Sequence, residues 1–172
     1  NALVLNNANS KLLLNSITVG SVSTSANSLG LDVNASSTVT TLSVGHITPV
    51  SISSGKTLSG AITVTAGSIK LTETGTLAST IAMSGGTLDV DNNMTVSGAI
   101  TQSGNIEINV AEDKNLGYSG AAINVGAKTL TLSGRGTFNN TNALVLDDAN
   151  SKLLLTNTTT VGKVITSATS LG

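Results

Sequence analysis

Two stretches decide the fold: Ser59-Gly60-Ala61-Ile62-Thr63 and, 38 residues on, Ser97-Gly98-Ala99-Ile100-Thr101. Halfway between them, 19 residues from either isoleucine, stands Ile81. Thr57-Leu58 recurs as Thr76-Leu77 and then as Thr95-Val96, again at steps of 19. A third set runs Ile69, Leu88, Ile106, at steps of 19 and 18. Three apolar series sharing one period are the mark of a repeat architecture.

Within each period apolar and polar residues alternate, as in Ile62-Thr63-Val64-Thr65, Ile69-Lys70-Leu71-Thr72, Leu88-Asp89-Val90-Asp91 and Ile106-Glu107-Ile108-Asn109. Alternation of this kind reads as short strands with one face inward. Gly67, Gly75, Gly85, Gly86, Gly98 and Gly104 punctuate them at the turns. The turns come too soon to allow helical crossovers. The spacing predicts an all-β parallel β-helix, or β-solenoid, of about 19 to 20 residues and three strands per coil, with neighbouring coils about 4.8 Å apart.

Three inward stacks are expected. The first holds Leu58, Leu77 and Val96, with Leu116 next; the second holds Ile62, Ile81 and Ile100, with Ile123 next; the third holds Ile69, Leu88, Ile106 and Leu130. Phe138, Leu144 and Leu153 continue them at longer steps, and the step of 23 to Ile123 places an outward loop at Glu112–Gly117. Gln102 falls at an inward position and needs a partner there.

A longer period lies over the short one. Residues 1–14 read NALVLNNANSKLLL and residues 142–155 read NALVLDDANSKLLL, with 12 of 14 positions identical at an offset of 141. The match runs on, one residue out of step, through Thr18-Val19-Gly20 against Thr160-Val161-Gly162 to Ser28-Leu29-Gly30 against Ser170-Leu171-Gly172. The 172 residues are thus expected to form one continuous solenoid segment of roughly eight coils in which 1–30 repeats as 142–172.

Composition agrees. Aromatic residues are 1% of the chain, so the interior must be built from Leu, Ile, Val and Ala; charged residues are 10%, and the net charge is −1. That balance offers no footprint for nucleic acid. No apolar run approaches the length of a membrane helix, so membrane insertion of this segment is not expected. The absence of Cys removes disulfides and thiolate metal sites.

Gly126-Ala127-Lys128-Thr129-Leu130-Thr131-Leu132-Ser133-Gly134 resembles the repeats of bacterial autotransporter passenger regions. Gly55-Lys56-Thr57-Leu58-Ser59-Gly60 and Gly85-Gly86-Thr87-Leu88 share the style. The resemblance spans most of Ser51 to Phe138. It implies a right-handed β-helix at a bacterial cell surface or outside the cell, serving as adhesin, surface layer or fibre, with a host or neighbouring cell surface as partner.

Candidate chemistry is sparse. Polysaccharide-cleaving enzymes of this fold need clustered carboxylates; the best set is Asp89, Asp91 and Glu107, with Glu107 expected beside Asp89 in the next coil and Lys70 on its other side. The plainer reading is a solvated charge ladder, and no Trp and one Tyr are present to stack on a sugar. Asp89, Asp91, Asp147 and Asp148 are weak calcium candidates at turns, outside any EF-hand spacing. Asn and Asp more often cap backbone there. His46 stands alone near Pro49 and reads as a turn residue. Thr-x-Thr pairs resembling an ice-binding array are broken, Thr63/Thr65 being followed by Ala82/Ser84.

The expected reading is therefore a structural or adhesive fibre segment without cofactors, against a polysaccharide-active enzyme or a receptor-binding module. Leu3-Val4-Leu5 and Leu153-Leu154-Leu155 carry no capping helix or charged strand. The chain's main partner is then itself, in tandem or head to tail, through Leu3, Leu5, Leu153 and Leu155.

Overall fold

A computed structural model describes residues 2–157 and 160–167. The repeat match expected at Ser170-Leu171-Gly172 lies outside the described residues. Every regular element among them is a strand, and every strand pair is parallel. The chain winds as a β-solenoid of about eight turns.

One side is an eight-stranded sheet running Lys11–Leu14, Gly30–Val33, Thr48–Ile52, Ser68–Leu71, Thr87–Val90, Ile106–Val110, Thr129–Gly134 and Lys152–Leu155. The other two sides share an eleven-stranded sheet that begins with Leu3–Leu5, because Thr18–Thr24, Ser37–Val44 and Thr57–Val64 each cross both without a break. Above Thr57–Val64 the sides separate. One carries Thr76–Leu77, Met94–Val96, Asn115–Tyr118, Thr137–Asn140 and Thr160–Val161; the other carries Thr80–Met83 and Ile100–Gln102. A separate three-stranded sheet, Ile123–Asn124, Leu144–Leu146 and Val164–Thr166, follows.

The inward columns are the fold's main stabiliser. Val22, Leu42, Ile62, Ile81 and Ile100 lie in register on one another, each at most 2% exposed. Leu58, Leu77 and Val96 form the expected first column. Burying each such side chain contributes about 1.5–3 kcal/mol.

Two expected rungs are corrected. Ile108, not Ile106, lies over Leu88; Ile106 stands over the turn below and starts a column that continues through Leu130 to Leu153. Tyr118, not Leu116, lies over Val96, whereas Leu116 covers Met94 and is covered by Phe138. The physical reason is perimeter. The step is 20 residues from Val90 to Val110 and 22 from Met94 to Leu116, so the extra residues lie in the turn at 111–114. The chain from Asn115 to Gly117, expected in the loop, is strand.

A second irregularity sits lower. Val39 pairs with Gly60 and Thr41 with Ala61, leaving Thr40 as an extra residue in a β-bulge. Gly60 has φ 128°, and a Cβ there would lie 1.8 Å from the Val39 carbonyl oxygen. Only glycine lets the two backbones meet at this bulge.

Ile81→Asp places a carboxylate at an inward position that is 0% exposed, and it should cost at least several kcal/mol and prevent folding. Thr63→Asp, on the outward side of the same sheet, should change stability by no more than about 0.5 kcal/mol. Circular dichroism and urea titration of the two variants would measure this, and equal behaviour would mean that the inward register is wrong.

Candidate functional site

Six charged residues lie within the described strands: Lys11, Asp32, Lys70, Asp89, Glu107 and Lys152. All six belong to the eight-stranded sheet, and the strands of the other two sheets carry none. The candidate chemistry is therefore confined to one side of the solenoid and to the turns. On that side register sets the neighbours. Lys70, Asp89, Asn109 and Ser133 form one outward column, and Thr87, Glu107 and Thr131 the next.

Asp89 and Asp91 meet at Lys70. Its Nζ lies 3.3 Å from Asp89 Oδ2 and 2.8 Å from Asp91 Oδ2. The hydrogen bond to Asp91 and the charge of Asp89 hold the Lys70 ammonium above its ordinary pKa, against the opposing effect of partial burial. From the far side Asn109 Nδ2 donates to Asp89 Oδ1 at 2.7 Å. Glu107 is not beside Asp89, as the sequence suggested, because the step there is 20 residues and puts Asn109 in that place. Instead the Glu107 carboxylate accepts from the hydroxyls of Ser133 and of Thr87, the latter at 3.4 Å. A shallow recess of about 300 Å³ opens over it, lined by Thr87, Asn105, Ile106, Glu107 and Thr131.

The other calcium candidates are engaged in turns. Asp147 Oδ1 accepts the Gly126 amide at 2.8 Å, and Asp148 Oδ1 accepts the Asn150 amide at 2.8 Å. The first copy of the long repeat makes the same turn with an amide, Asn7 Oδ1 accepting from Asn9 N at 2.8 Å. The carboxyl charge is thus dispensable to this turn geometry. Among the described residues no group of three or more His, Cys, Asp or Glu gathers where a metal ion could be held. His46 is exposed in a bend, as expected of a turn residue.

Both aromatic rings are interior. Tyr118 and Phe138 are 1% and 0% exposed and stack with centroids 5.8 Å apart. Neither presents a face to a sugar. The Tyr118 hydroxyl donates to the Ala121 carbonyl at 2.6 Å and accepts the Ile100 amide at 3.1 Å. Burial pushes its pKa up, and the amide bond only partly offsets this. Sequence reading gave this residue no role, since a lone tyrosine has no period to betray its place.

The apolar residues assigned to end contacts divide. Leu3 and Leu155 are 45% and 46% exposed, Leu5 is 4% exposed and belongs to the core, and Leu153 is half-buried against it. Leu13 and Leu154 instead occupy the outward position between their inward neighbours, and they are 62% and 39% exposed. No family model, curated protein or solved structure matches the chain.

Lys70→Met removes two partly exposed ion pairs and should lower stability by less than about 1 kcal/mol in a urea titration. A loss of several kcal/mol would show that the column is a structural keystone. Because Tyr118 is the sole tyrosine and the chain has no Trp, its ionisation can be followed by ultraviolet absorbance alone. The native phenol should ionise above the free value of about 10, and the urea-unfolded phenol at it. The native state then holds the extra proton, so this contribution to stability is complete below pH ~10 and is lost as pH rises through the native pKa. Native ionisation at the ordinary value would contradict the buried position.

Proposed function

We propose that this chain is a segment of an extracellular structural or adhesive fibre, built by continuing the same solenoid through tandem or end-to-end repeats. The observation that carries this reading is the long repeat seen in three dimensions. Leu5 and Leu146 sit in the same inward place, each 4% exposed. Asn7 and Asp148 make the same turn, with Ser10 N donating to Asn7 O at 2.9 Å and Ser151 N to Asp148 O at 3.0 Å. Val4 and Val145 are both outward neighbours of such leucines. Seven turns separate the copies, so a rod could add one such period after another without changing direction of its strands.

What supports a passive role is the fate of the polar groups. The carboxylates of Asp89, Asp91, Glu107, Asp147 and Asp148 all have protein partners, and the rings are inside. The cell-surface setting and an adhesive target rest on the resemblance of Gly126–Gly134 and its kin to autotransporter passengers. A polysaccharide-active site or a receptor-binding module is the competing reading, and the recess over Glu107 is where either would be sought.

Three 141-residue periods joined in one polypeptide should form a single rod in electron micrographs, each period adding about 34 Å for seven turns. Three separate globules joined by linkers would overturn the proposal. So would polysaccharide cleavage that disappears in Glu107→Gln.

A further inference from the structure

The ladder of coils is open at one step. Ile100–Gln102 pairs below with Thr80–Met83, and Ile123–Asn124 pairs above with Leu144–Leu146. These two strands follow one another on the same side of the solenoid and lie close together, yet do not pair. The other sides continue across the same step, through Met94–Val96 on Asn115–Tyr118 and Thr87–Val90 on Ile106–Val110.

The cause is the longer perimeter of this coil. Extra residues enter in the turn at 111–114, and the link from Gln102 to Val125 spans 23 residues. Two side chains bridge the opening. Tyr118 Oη connects the Ile100 amide to the Ala121 carbonyl, and Gln102 Nε2 donates to the Val125 carbonyl at 3.0 Å. Gln102 pays for this with a buried Oε1 that has no protein partner, in a column otherwise filled by Val64 and Met83. Gly120 makes room for the bridge, since a Cβ there would lie 2.2 Å from the Gly98 carbonyl and 2.7 Å from Tyr118 Oη.

We infer that the gap between Ile100–Gln102 and Ile123–Asn124 is a hinge of the solenoid, pinned shut by Tyr118 and Gln102. Two continuous sides keep the turns together, while the third opens and closes without breaking a strand ladder. The open side loses its protection first, because side-chain bridges there replace a row of backbone bonds. This inference stands on the pairing pattern and is independent of the fibre reading.

Amide hydrogen exchange tests it. In the native protein the Ile100 amide should exchange faster than the amides of Ile62 and Ile81, which lie in closed rungs of the same side. Tyr118→Phe keeps the ring on Phe138 and removes the hydroxyl. It should speed exchange on the order of tenfold at Ile100 and its neighbours across the gap, leaving residues 30–71 unchanged. Equal protection at Ile100, Ile62 and Ile81 in the native protein would overturn the hinge, even if the variant failed to fold. A variant whose exchange rises by one common factor along the whole chain, or nowhere, would also overturn it.

Discussion

Everything in this structure depends on the parallel backbone ladder between one coil and the next. That ladder fixes the axial rise, and once the rise is fixed each inward residue must stand on a residue of similar bulk. Leu58 on Leu77 on Val96, and Ile62 on Ile81 on Ile100, are that condition written into the chain. A core made this way needs no aromatic residues. The two present stack on each other where the coil perimeter grows and there is more interior to fill.

The same constraint sorts the surface. Outward residues also stand in columns, so a charge on one coil meets whatever the next coil offers at about 4.8 Å. Like charges in that position would repel. The chain avoids this by alternating types: Lys70 under Asp89 under Asn109 under Ser133, and Lys11 beside Asp32. It also keeps strand charges on one sheet only. The strands of the eleven-stranded sheet are left with outward hydroxyl, amide and methyl groups, such as the column Thr57, Thr76, Thr95.

From Thr57 to Ile100 the columns were legible in the sequence because each step there is 19 residues and the residue types repeat. Legibility failed where the step changed. Ile106 and Ile108 both alternate correctly, so a step of 18 and a step of 20 fit the pattern equally well, and only the hydrogen-bonded register separates them. The error carried over to Glu107, whose place beside Asp89 belongs to Asn109. Leu116 and Tyr118 pose the same ambiguity two residues apart. Before Thr57 the bulge at Thr40 offsets the pattern within a single strand, and no composition signal marks it. The partners of Lys70, the Tyr118 bridge and the open step on its side depend on distances between coils, which a linear pattern does not contain.

The central claim is that the two copies of the long repeat occupy equivalent places seven turns apart on one continuous solenoid. Spin labels at Val4 and Val145, outward residues in the two copies, measure it directly by electron paramagnetic resonance. The account expects a single narrow distance distribution whose backbone contribution is about 34 Å, seven rises of about 4.8 Å each. A broad distribution, or a distance near 10 Å from copies packed side by side as two sheets, would contradict it.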